Sequence, residues 1–256
     1  MQFLESPAFV VNIAQYGESH RIVSLATRER GLVHAMARHA RKSLKRFPGA
    51  IDYFKLIDVS ASKKSKRDDL WQLERARIIH YYQDIVHTTS RYLAGCWVIQ
   101  SYRLLVPQEV ADTGTFDWMK ESFDYYEEND PGAPSVFTSF IRLMGITGNL
   151  PSFDRCVVCG AEAPQGRDAY LNLQAGGIVC RKCGGKKDLL PGDLRQFLAR
   201  ASHAGSMSAL KDFPPELLLA AEKNRRMVFR IIEETEGTIS GRKNFSAGVL
   251  FKALMR

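Results

Sequence analysis

The chain has 256 residues, of which 45% are hydrophobic and 25% charged, and it carries a formal net charge of +8 with a pI near 9.3. Those proportions are ordinary for a globular protein, so a packed core with little disorder is expected, and the length suits one large domain or about two to three small ones. No apolar run approaches the roughly 18 to 20 residues of a membrane span, and the opening MQFLESPAFVV lacks the basic and long apolar regions of a secretion signal, so a cytoplasmic location is expected.

The charge is unevenly spread: residues 1–80 carry a net +7, residues 81–150 a net −5 and residues 151–256 a net +6. Residues 1–80 read as β. AFVVNIAQYG is an apolar run ending in a turn. HRIVSLATRERGLVHAMA reads as two alternating strands joined by a loop from Thr27 to Gly31, whose glycine can take the left-handed conformation. AIDYFKLIDVSAS reads as a fourth strand, and LWQLERARII as a fifth strand or the start of a helix. Five short strands in about 80 residues suit a small closed barrel.

From about residue 74 the apolar period becomes helical, and RARIIHYYQDIVHTTSRYLAGCWVIQSYRLLV reads as one helix, apolar on more than one face, ending at Pro107. TFDWMKESFDYYEEN follows, with Thr115 as its expected N-cap, and then PSVFTSFIRLMGITG, closed by Gly145 and Gly148. Beyond a cysteine-bearing segment come GDLRQFLARASHAG, a single long helix PPELLLAAEKNRRMVFRIIEETEG stopping at Gly237, and a final SAGVLFKALM. The expected organisation is a β domain over 1–80, helices over 81–150, a cysteine module over 151–188 and more helices over 189–256.

Of the five cysteines, Cys96 stands alone in an apolar helical stretch and is expected to be a buried thiol. Cys156, Cys159, Cys180 and Cys183 form two C-x-x-C-G knuckles, the spacing of a four-cysteine zinc site. Each glycine lets amides turn toward a sulfur, and Arg155, Arg181 and Lys182 offset part of the thiolate charge. Four cysteines leave no coordination position for water or substrate, so one structural zinc ion is expected; a redox C-x-x-C is the lesser alternative.

Two basic stretches interrupt the β region. Arg38, Arg41, Lys42, Lys45 and Arg46 follow the third strand, and Lys63, Lys64, Lys66 and Arg67 follow the fourth; Arg28 and Arg30 add to them at the hairpin. Loops between alternate strands of a small barrel emerge near one another, so these eleven residues are the candidate nucleic-acid contacts. A third group, Lys223, Arg225, Arg226 and Arg230, lies on the long C-terminal helix beside apolar positions; it reads as a solvated face beside a core face, or as a groove edge that suits an acidic peptide with a hydrophobic end.

YGESHRIVSLATRERGLVHAMARHARK resembles the N-terminal signature of the RecO family of bacterial recombination mediators, and GNLPSFDRCVVCG with AGGIVCRKC resembles that family's cysteine module. The resemblance implies an α+β multidomain protein: a five-stranded OB-fold barrel followed by an all-α domain with a zinc-binding insertion. It also implies binding of single- and double-stranded DNA, annealing of complementary strands, and work beside RecR in loading RecA onto strands coated by single-strand-binding protein. The acidic tail of that coating protein would be held by the helical domain, here by Arg225, Arg226 and Arg230, and the location would be the nucleoid. One position departs from the family pattern: His39 stands in ARHARK where the family usually has glycine. Should the backbone need a positive φ there, the histidine would be strained or the loop rerouted.

No P-loop or GxSxG sequence occurs, and the expected protein is not an enzyme. The alternatives are a zinc-containing nucleic-acid-processing enzyme, for which the adjacent Asp68 and Asp69 are a poor start, and a protein-only adaptor.

Overall fold

The computed structural model describes residues 1–40, 46–65 and 69–241, which form two compact units, Met1–Glu128 and Asn129–Arg256. In the first unit, strands β1 (Gln2–Tyr16), β2 (His20–Thr27), β3 (Gly31–Ala37), β4 (Lys55–Lys63) and β5 (Trp71–Tyr81) close a barrel in the order β1-β2-β3-β5-β4. β3 and β5 pair parallel and the other neighbours antiparallel, which is the topology of an OB fold. The interior follows from the period-2 alternation: Val23 and Leu25, Val33, Ala35 and Ala37, Ile57, Val59 and Ala61, and Trp71 and Leu73 all point inward and are buried. A bulge between Val10 and Asn12 lies where β1 passes from β4 to β2, and it lets the consecutive Val10 and Val11 both be buried.

Several expected boundaries move. The fourth strand begins at Lys55 rather than Ala50; Phe47, Ala50 and Ile51 instead form turns whose side chains join the barrel core, and Phe54 has φ +57. LWQLERARII, open between a fifth strand and the start of a helix, is strand: β5 runs on to Tyr81, past residue 74 where the helical period is expected to begin, because pairing with β4 outweighs that period. The expected single helix becomes α1 (Gln83–His87) and α2 (Thr89–Leu105), separated by the extended Thr88. In α3 (Thr113–Glu128), Thr115 lies inside the first turn, and Asp112 makes the capping contact, its Oδ1 accepting the Gly114 N–H at 2.9 Å.

These helices belong with the barrel. Phe9 of β1 meets Phe116 and Phe123 of α3 at ring separations of 5.4 and 5.2 Å, and the Tyr82 hydroxyl donates to Asp124 at 2.8 Å.

The second unit is organised around α4 (Ala133–Ile146), which is buried on most of its faces. A small sheet, ordered β7-β6-β8, comprises β6 (Ala169–Asn172), β7 (Gly177–Val179) and β8 (Leu189–Leu190). Helices α5 (Gly192–Ser202), α6 (Pro215–Lys223) and α7 (Arg225–Ser240) pack on α4. The expected single C-terminal helix breaks at Asn224, whose side-chain amide donates to the Ala220 carbonyl at 2.8 Å, a local bond that competes with helix continuation. It stops at Gly241, left-handed with φ +66, and not at Gly237. The expected SAGVLFKALM element lies outside the described residues. Among the described residues no helix is long and apolar enough to cross a membrane.

Candidate metal centre and nucleic-acid interface

In the second unit the two knuckles meet because backbone pairing folds one onto the other. The Ile178 N–H donates to Ser152 O and the Val157 N–H to Ile178 O, both at 2.9 Å, so β7 carries Cys180 to Cys156. Gly160 (φ +71) and Gly184 (φ +95) make the left-handed turns that a C-x-x-C-G knuckle needs. All four sulfurs lie within 4.8 Å of one another, and Cys159 Sγ to Cys180 Sγ is 3.9 Å. The edge of a tetrahedron with zinc–sulfur bonds of 2.3 Å is about 3.8 Å, so this donor set fits zinc.

The electrostatics agree. Amides of Cys180, Cys159 and Val158 hold the Cys156 thiol down at about 6, with Cys180 N to Cys156 Sγ at 3.3 Å. The neighbouring sulfurs of Cys180, Cys159 and Cys156 push Cys183 up to about 12. Four thiolates at this spacing need a cation among them, and a divalent ion supplies that charge. Of the three basic neighbours, Arg155 is paired with Glu162 at 2.8 Å, and Arg181 donates to the Tyr170 hydroxyl at 3.3 Å.

Arg195 escaped the sequence reading. It lies within GDLRQFL next to the apolar stripe of α5, where an arginine passes for surface. It is instead 2% exposed, and its guanidinium donates to the carbonyls of Arg167 (3.0 Å), Phe153 (3.0 Å) and Pro164 (2.6 Å). One planar fork thereby fastens Phe153 and both sides of the Pro164–Arg167 turn to α5.

In the first unit the described candidate contacts sort into three groups. Arg38 and Lys64 are exposed and line one groove of about 730 Å³, and Arg46 reaches its edge by donating to the Glu74 carbonyl at 3.4 Å. Arg30 and Lys63 pack over the Trp71 ring at 5.1 and 5.6 Å; Lys63 is only 5% exposed and bonds Glu109 at 2.9 Å. Arg28 is held by both carboxylate oxygens of Asp117, each at 3.1 Å. Arg41, Lys42, Lys45, Lys66 and Arg67 lie outside the described residues.

On α7, Arg225 and Arg226 are exposed, whereas Arg230 pairs with Asp188 at 3.0 Å and Glu234 at 3.7 Å. Arg230 lines a groove of about 570 Å³ with Val158, Lys186 and Lys187 of the cysteine module. The apolar residues Val228, Phe229, Ile231 and Ile232 of the same helix are buried within the unit.

His39 takes φ +58, the conformation expected of a glycine at that place. Its N–H donates to His20 Nδ1 at 3.0 Å, which holds the backbone in that turn.

An OB barrel with cations in its groove, followed by a helical unit carrying a four-cysteine metal module, defines a class of two-part OB-fold proteins. Residues 1–82 match the family model described as "Recombination protein O N terminal", and residues 87–223 match "Recombination protein O C terminal". Among relatives named "DNA repair protein RecO", that of Syntrophus aciditrophicus is 31% identical over 179 residues, covering 70% of this chain and 69% of the relative. That of Desulfosudis oleivorans is 27% identical over 209 residues, 77% of this chain and 80% of the relative, and that of an Anaeromyxobacter strain is 30% identical over 182 residues, 70% of each. The chain belongs to the RecO family.

Proposed function

We propose that the protein is a non-enzymatic recombination mediator in DNA repair: it binds single- and double-stranded DNA, anneals complementary strands, and with RecR helps load RecA onto strands coated by single-strand-binding protein. The observation that carries this reading is the OB-barrel groove lined by Arg38 and Lys64 in a chain whose two halves both match the family. The relatives' shared name supports the repair setting.

The mechanism needs no bond chemistry. Two single strands repel each other as polyanions, and cations that track both backbones lower that repulsion without reading bases. The tail of the coating protein and the DNA would occupy separate sites, so one molecule joins two weak contacts and raises their local concentration. Arg225 and Arg226 are the exposed candidates for that tail; Arg230 already has carboxylate partners. Zinc held by Cys156, Cys159, Cys180 and Cys183 would supply a structural cross-link.

Mixing the full chain with complementary labelled strands, without nucleotide and across a salt series, tests the reading. Annealing should accelerate and fade steeply as salt rises. Replacing Arg38, Arg46 and Lys64 by Ala should flatten the log–log salt slope for single strands by about 2 units, from roughly 0.7 per lost phosphate contact. Strand cleavage, or annealing indifferent to salt, would point to the enzyme or adaptor alternatives.

A further inference from the structure

We propose that the barrel groove distinguishes single-stranded from duplex DNA through a stacking platform made by Tyr16 and His20, with His39 as a positioning residue behind it. The inference rests on the DNA-binding reading above and deepens it.

Three strand ends create the platform. Tyr16 closes β1 and stands directly opposite His20, which opens β2. His39 lies two residues beyond β3, and its ring meets that of His20 edge-on at 4.9 Å. The His39 N–H donates to His20 Nδ1, and the bond fixes the plane of the His20 ring. Ser19 Oγ, 3.4 Å from His39 Nδ1, braces the second ring. His39 holds these contacts from a left-handed backbone that L residues rarely adopt.

Tyr16 is 53% exposed and contributes nothing to the barrel core. It shares a groove with His20, Met36, Arg38 and Lys64, which places two rings and a thioether beside two cations. Trp71 lines the same groove but is fully buried, with Arg30 and Lys63 over its ring, so it is closed to bases. Glu74 also faces the groove, and its carboxylate accepts the Ser62 hydroxyl at 2.5 Å.

Rings beside cations are the chemistry of unpaired nucleotides. Each phosphate seeks Arg38 or Lys64, and the adjacent base covers an aromatic face; the bases of a duplex are stacked on one another and cannot. The platform therefore adds affinity for single strands alone, and that part is insensitive to salt.

The test uses the full chain with a fluorescent oligodeoxythymidine, an abasic strand of the same length and a duplex. The wild-type protein should bind the thymidine strand about tenfold more tightly than the abasic one. Tyr16→Ala should remove most of that preference while leaving duplex affinity and the salt slope unchanged, and Tyr16→Phe should retain it. His39→Gly, which keeps the positive φ and the N–H bond to His20 but deletes the ring that meets His20 edge-on, should reduce the preference by less than Tyr16→Ala does, without altering duplex binding. Equal wild-type affinity for thymidine and abasic strands would overturn the platform, as would an equal loss of duplex and single-strand binding in Tyr16→Ala. Failure of the wild-type protein to bind any of the three would instead overturn the DNA-binding reading beneath it.

Discussion

Lys63 belongs by sequence to a basic loop, yet its ammonium sits against Glu109 and over Trp71, 5% exposed. The Lys63 bond holds the Glu109 carboxyl below the usual carboxylate range, helped by the Trp71 N–H at 3.1 Å and by Arg30 nearby. Lys63→Ala should therefore cost about 2 kcal/mol in urea denaturation, less than a fully buried pair because Glu109 is 31% exposed, and should spare oligonucleotide affinity. Normal stability together with lost DNA binding would return Lys63 to the DNA-contact set. His34 offers a pH readout at the same scale. Burial, then the nearby Arg103, lowers its pKa, against a smaller opposing effect of Glu109. The unfolded chain then takes up a proton that the folded chain refuses, so stability should fall as pH drops through about 6.5. His34→Gln should make the dependence of unfolding free energy on pH shallower between about pH 7 and 5; an unchanged slope would contradict this.

At the scale of elements, the hairpin loop and the α5 staple carry the sharpest constraints. Gly31, at φ +64, follows from turn chemistry, but a Cβ there would also lie 2.2 Å from the Val110 carbonyl oxygen, a neighbour 79 positions away in the sequence. Arg195 binds α5 to the cysteine module through three carbonyls, and lysine cannot reproduce that planar fork. Arg195→Lys should leave carbonyls unsatisfied and cost about 2 to 4 kcal/mol, and a chelator should strip the metal faster from the variant. Unaltered melting and metal release would show that water satisfies those carbonyls equally well.

At the scale of the molecule, each of the two compact units has its own buried core. A chelator should lower the thermal stability of Asn129–Arg256, because removing the ion leaves four sulfurs crowded together without the charge that joins the two knuckles, while single-strand affinity of the barrel persists. Calorimetry with and without chelator, paired with an oligonucleotide titration, checks this. Loss of DNA binding at a chelator concentration that leaves the fold intact would make the metal more than structural.

The sequence by itself determined that the first 80 residues form a small barrel, and it marked the two cysteine knuckles and the runs of basic residues, since each is written in local alternation, fixed spacing or charge that needs no distant partner. It also marked His39 as the place where a positive φ was at issue. Only the tertiary structure decided that residues 74–81 are strand, that Asn224 breaks the last helix, and that Lys63 and Arg195 turn inward. The reason is range: a period or a knuckle is set by neighbours a few residues apart. Whether a cation meets solvent, a carboxylate or three carbonyls depends on groups 28 to 46 positions away, which the fold alone brings to it.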